Sequence, residues 1–360
     1  MHKSATAPLA LLYAALILYA SLYPFEGWRA VGLAPWSFLW APLPRYWTGF
    51  DIFVNLAGYA PFGFLLSLGL LRTQPRWPAV SVATLVASLL SFAMEAMQTY
   101  LPERVASNVD LVLNAGGALL GAVLAWLLER AGAIARWSEF RARWFVPDSR
   151  DALVLLALWP VGLLFPTAVP LGLGQVMERA EAALAVWLVG TPMLEWLPMR
   201  ETELQPLLPG GELLVVLLGL LTPCLLAYSV VPHSLRRLGL VLGLLASGVG
   251  VTALSTALSF GPGHAWAWLT LPVQLGLVVG SVLAVALLAL SARTSAVLLL
   301  LTLALQLSVL NNASAGIYLG QTLQSWEQGR FIRFHGLAQW VGWLWPFAVL
   351  VWATVRLSRR

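Results

Sequence analysis

The chain reads as an all-α, polytopic transmembrane helical bundle of about ten spans, and three features of its 360 residues predict this. Hydrophobic residues make up 59% of the chain and charged residues 10%, with a mean hydropathy of +0.80. A water-soluble globule with a polar exterior does not reach that balance. The apolar residues are gathered into runs of roughly 20, the length that crosses the hydrocarbon core as a helix. Basic residues concentrate in alternate connections, the bias that marks cytoplasmic loops.

In chain order the runs fall near residues 9–23, 51–71, 79–100, 109–128 and 152–173, then 212–231, 238–259, 265–290, 295–311 and 337–356. With the N-terminus inside, the alternate connections hold fourteen of the 21 basic residues, among them Arg76, Arg136, Arg141, Arg143, Arg236 and Arg237. Both termini are therefore expected in the cytoplasm. The first run carries no convincing small-residue cleavage site and reads as an uncleaved helix. The fifth run contains Pro160, Pro166 and Pro170, which mark a kink or break.

Three sections follow: a four-helix module over residues 1–128, a basic linker over 129–150 and a six-helix module over 151–360. In the linker, Arg136, Arg141 and Arg143 alternate with Trp137, Trp144 and Phe145, a composition suited to a helix lying on the inner membrane surface. Residues 24–46 are rich in Trp and Pro, including Trp28, Trp36 and Trp40, and read as a partial lid in the outer headgroup layer. Residues 174–211 should contain an amphipathic helix and an acidic stretch through Glu195, Glu201 and Glu203. Asn311, Asn312, Gln321, Gln324, Glu327, Arg330 and Arg333 read as a solvated outer connection. Gly239 with Gly243, and Gly276 with Gly280, have the small-xxx-small spacing of packed membrane helices.

The net charge of +5 is spread over many turns rather than collected into a stripe, so membrane lipids rather than nucleic acid are the expected partners. The single cysteine, Cys224, and four scattered histidines give no metal centre, and no cofactor motif is present. The pattern does not fix an oligomeric state.

The first module repeats itself. Asp51, Asn55 and Gly58 answer to Asp110, Asn114 and Gly117, each set spaced at zero, four and seven. That spacing puts a carboxylate, a carboxamide and a small gap on one helical face. The third helix adds Glu95 and Gln98, three residues apart. Asp51 and Asp110 fit a capping role at helix N-termini. Glu95 does not, since it lies toward a C-terminus where the dipole disfavours an acid, and an intramembrane acid marks a site by default. Asp51, Asn55, Glu95, Gln98, Asp110 and Asn114 are thus the expected binding residues, and Glu95 and Asp110 the candidate catalytic pair.

These elements resemble the VanZ-like membrane proteins. That family's pattern is an Asp-Asn pair leading to Pro-x-Gly, a Glu-x-x-Gln helix, and a second Asp-Asn pair with glycines. Here they are Asp51, Asn55, Pro61 and Gly63; Glu95 and Gln98; and Asp110, Asn114, Gly117 and Gly121. The resemblance covers about residues 10–128, with no departure at these positions. The family name comes from a protein associated with low-level resistance to the glycopeptide teicoplanin, which implies a connection with the cell envelope.

The sequence thus points to a multi-pass protein of the bacterial inner membrane that binds a polar or lipid-linked envelope component at the outer face. An integral membrane enzyme using Glu95 and Asp110 as an acid/base pair is the alternative, and a transporter the third reading.

Overall fold

The computed structural model describes residues 6–22, 25–30, 32–43, 49–71, 73, 75–101, 104–193, 204–232, 235–260, 262–314 and 332–358. Asp51 is described in its backbone alone, as is Arg333. Glu195, Glu201, Glu203, Gln321, Gln324, Glu327 and Arg330 lie outside the described residues. The chain divides into two compact units, Met1–Arg141 and Ala142–Arg360.

Every regular element among the described residues is helical, because in an apolar medium a helix satisfies its own backbone groups. The first unit contains α1 (Thr6–Leu22), α2 (Gly49–Leu70), α3 (Arg76–Gln98) and α4 (Asn108–Arg130), with a 3-10 turn at Ser37–Trp40. Helix α5 (Ala133–Trp144) crosses the division between units, and none of its residues is buried. Along it Trp137 stacks on Phe140. The second unit contains α6 (Arg150–Leu163), α7 (Met177–Leu188), α8 (Pro209–Val230), α9 (Arg236–Phe260), α10 (Leu271–Ala286), α11 (Ala292–Asn311) and α12 (Ile332–Ser358). Eight of these helices are long and apolar enough to cross a membrane: α2, α3, α4 and α8 to α12. The chain is an all-helical membrane protein.

In the first unit α2 and α4 run parallel and touch backbone to backbone. A Cβ added to Gly117 would lie 2.2 Å from Leu56 O, one on Gly121 1.8 Å from Ala60 O, and one on Gly63 2.1 Å from Ala118 O. These glycines are obligatory because no side chain fits between the helices. The repeat is not symmetrical in this respect. Gly58, which answers to Gly117, has open space around it. Helix α3 packs on both α2 and α4, and α1 packs on α2 and α3. Tyr13 ties α1 down by donating to Gly58 O at 2.9 Å.

In the second unit α8 is the axis. Every residue from Val215 to Val230 is buried, and α6, α9, α10 and α11 pack around it. Gly276 and Gly280 let α10 approach α8 at Leu213, Val216 and Leu217, whereas Gly239 and Gly243 face open space. The spacing of the second pair is therefore not used for packing within this unit.

Arg237, expected as an ordinary loop cation, is buried at 1% exposure in the first turn of α9. Its Nε donates to Val231 O, its Nη1 to Leu288 O and Leu290 O, and its Nη2 to Tyr228 O and Val231 O. All five guanidinium donors are used. Their acceptors are carbonyls at the C-terminal ends of α8 and of the α10 segment, the groups a helix cannot satisfy itself and the negative ends of two dipoles. Tyr228 lies beneath the guanidinium at 5.1 Å and donates to Ala284 O.

Helix α6 ends at Leu163, well short of the expected span to 173. The expected span is wrong because Pro166 and Pro170 cannot continue a helix, and the backbone of 165–174 turns instead as buried irregular chain. Side chains satisfy it. Ser255 donates to Leu164 O, Gln306 to Leu173 O and Asn311 Nδ2 to Gly174 O, while Asn311 Oδ1 accepts from Val176 N and Met177 N. Asn311 is thus a buried clamp rather than a member of a solvated loop.

Two outcomes are expected. Gly121→Val, which drives a branched side chain into Ala60 O, should cost at least the 1–3 kcal/mol typical of overpacking and lower the melting temperature and yield in detergent. An unchanged melting temperature would show that α2 and α4 separate freely. Arg237→Lys removes donors that a single ammonium cannot replace, and should cost roughly 1–3 kcal/mol in thermal unfolding; an unaltered transition would remove the staple assigned to Arg237.

Candidate functional site

The turn between α3 and α4 builds the site. Ser107 is the N-cap of α4 with an extended backbone, and its Oγ accepts from Asp110 N at 3.4 Å. Ser107 and Asp110 have the spacing of a capping box, in which the third-position acid would return to the N-cap amide. Here Glu95 Oε2, from the last turns of α3, accepts that amide instead at 2.8 Å. The substitution explains an acid near a helix C-terminus, because Glu95 serves the N-terminus of the following helix. It also frees the Asp110 carboxylate, whose Oδ1 accepts from Asn55 Nδ2 of α2 at 2.9 Å.

One turn below, Asn114 Nδ2 donates to Ser91 Oγ at 2.9 Å. Ser91 precedes Glu95 by one helical turn, and Tyr59 follows Asn55 by one, so both continue the stripes of the motif residues. Tyr59 lies beside Ser91 and Glu95, and Glu95 is in electrostatic contact with Asp110. Asn55, Glu95, Asp110 and Asn114 are thereby gathered with Ser91, Ser107 and Tyr59 into one cluster contributed by α2, α3 and α4. Glu95 retains only 4% of its exposure and Asn114 5%.

One expected member stands apart, and the side chain of another is not described. Gln98 faces α1, donating to Ser21 O at 2.9 Å, and so fixes the end of α1 rather than joining the cluster. The side chain of Asp51 lies outside the described residues. Ser91, Ser107 and Tyr59 were missed in the sequence, although the Ser107 and Asp110 spacing and the one-turn offsets of Ser91 and Tyr59 are visible there.

Some hydrogen-bonding capacity remains unused. Asn114 Oδ1 is buried with no partner among the described residues, and the buried Tyr59 Oη has only the Ser91 side chain beside it. Glu95 Oε1 also makes no hydrogen bond among them. Acceptors prevail, so the cluster is suited to a group that brings hydrogens: a hydroxyl, an amide or an ammonium.

The Trp-rich segment lies over this end of the unit. Arg29 N donates to Tyr100 O, Thr99 Oγ1 to Pro35 O and Asn108 Nδ2 to Ala41 O. Phe38 is buried against Phe92 with ring centres 5.8 Å apart. Trp36 and Trp40 remain exposed, presenting indoles of the kind that settle at a headgroup layer.

Neither the curated proteins nor the solved structures yielded a match to this chain. A family model does match, over the part that contains α1 to α4 and every residue of the cluster. Residues 5–129 match the VanZ/LLP1 family model, so the first unit of the chain is similar to that family.

Proposed function

We propose that the VanZ-like module binds a polar or lipid-linked component of the bacterial cell envelope at the outer face of the inner membrane. One observation carries this reading: a cluster of two carboxyl and two carboxamide groups, with Glu95 and Asn114 buried, whose acceptors Glu95 Oε1 and Asn114 Oδ1 make no hydrogen bond among the described residues. Structural bonds alone would leave no such surplus, since buried polar groups without partners cost free energy. Asn55, Glu95, Asp110 and Asn114 hold the polar portion. Asp51 is assigned to the same site by its repeat relation to Asp110. Gln98 contributes by fixing α1. The segment bearing Trp28, Trp36 and Trp40 shields the site and meets the lipid portion. Membrane lipids surround the module, and a link to glycopeptide susceptibility would follow if the bound component is the drug's target.

The electrostatic contact between Glu95 and Asp110 supports a second reading. Two neighbouring carboxyls would serve as acid and base on a lipid-linked substrate.

The test uses full-length protein purified with its native lipids, which are then identified by mass spectrometry. Glu95→Gln keeps an acceptor for the Ser107 amide, and Asp110→Asn keeps one for Asn55, so both should fold. Each should reduce the enriched envelope lipid by about ten-fold, as expected for losing a charged hydrogen bond. An identical lipid profile in wild type and both variants would remove the site. Turnover of the lipid headgroup by purified wild type, abolished by Glu95→Gln, would replace the binding reading with the enzymatic one.

A further inference from the structure

The break after α6 holds a cavity of about 20 Å³ within the second unit, lined by Gly162, Thr167, Gln175, Gln339 and Trp343 among others. Its floor is fixed by close backbone packing, since a Cβ on Gly342 would lie 3.0 Å from Gly162 O. The irregular chain that forms its wall is held by α11, as Gln175 Nε2 donates to Leu310 O and Ala313 O. Gly174, at φ +96°, turns that wall; a Cβ there would lie 2.5 Å from Leu307 and 2.9 Å from Pro346.

Non-helical backbone at this depth is tolerated where it is buried in protein or lines a polar cavity, and a helix interrupted by proline is a recognised place for a binding site. Satisfying the irregular backbone accounts for Gln306, Asn311, Ser255 and the amide hydrogens of Gln175. It does not account for the rest. Gln175, Gln339 and Trp343 line the cavity, and Gln175 Oε1, the Gln339 carboxamide and the Trp343 indole N–H make no hydrogen bond among the described residues. None of the described lining residues is ionisable.

We infer that this cavity is a binding site for an uncharged, hydroxyl-bearing group, of the kind found at the hydroxymethyl end of a hexose. Carboxamides both donate and accept, as a hydroxyl does, and an indole N–H supplies a further donor. No lining residue carries a charge, so the part of a ligand that enters the cavity meets no counter-charge inside it. The volume is close to that of a single water-sized group, so only the tip of a ligand enters. The remainder lies at the rim, where Arg179 stacks over Trp343 at 5.0 Å. This site belongs to the second unit alone and stands whatever the VanZ-like module binds.

The experiment uses the full chain in phosphatidylcholine nanodiscs and a diazirine-bearing octyl glucoside, with labelled peptides mapped by mass spectrometry. Label is expected in residues 162–176 and 339–343 and should be displaced by excess octyl glucoside but not by octyl phosphate. Gln339→Leu and Trp343→Phe should each lower displaceable labelling about five-fold, the loss of one ordinary hydrogen bond. Trp343→Phe keeps the aromatic volume and carries the test if Gln339→Leu fails to fold. Label absent from both segments, displacement by octyl phosphate as readily as by the glucoside, or wild-type labelling in folded variants would each overturn the assignment.

Discussion

Burial without water is the constraint on which this molecule depends. In a hydrocarbon environment every backbone amide, carbonyl and polar side chain must find its partner inside the protein or incur several kcal/mol. Straight helices meet that demand unaided except at their ends. The ends are where this chain places its polar residues. Glu95 takes the N-cap amide of α4, Arg237 collects the terminal carbonyls of α8 and the α10 segment, and Asn311 closes the first turn of α7 while holding Gly174. Three unlike side chains solve one problem.

Glu95 and Arg237 show how the same device leads to different roles. Arg237 uses all five donors on backbone carbonyls, so nothing is left for a ligand, and its work is to bind helix ends together. Glu95 uses one oxygen on Ser107 and thereby releases Asp110 from capping. The released carboxylate reaches Asn55 on the parallel helix, which α4 can approach because Gly117 and Gly121 leave no side chain in the way. Packing, capping and the polar cluster are therefore coupled: a bulkier residue at Gly121 would separate Asn55 from Asp110 as surely as a substitution in the cluster itself.

The internal repeat explains why the motif occurs twice and why its copies differ. The copy on α4 lies against α3 and α2, where Asn114 meets Ser91 and Gly117 meets Leu56. On α2 the matching glycine lies open, while Asn55 reaches outward to Asp110. A duplicated sequence placed in two environments cannot keep identical contacts, because each copy faces different neighbours.

Hydropathy and charge by themselves determined that the chain is an all-helical membrane protein and where most of its apolar helices lie, since insertion into lipid depends on local composition. Helical spacing also placed the motif residues on common faces. Only the tertiary structure decided which of them meet. Gln98 has the same spacing credentials as Glu95 yet serves α1, and Ser91 and Tyr59 joined the cluster without standing out in the sequence. Arg237 and Arg236 are neighbours of identical composition, but one is buried at 1% exposure and the other is not. The physical reason is the same throughout: periodicity fixes a residue's face on its own helix, whereas the carbonyl, amide or carboxamide opposite it belongs to a helix distant in sequence, and only packing brings the two together.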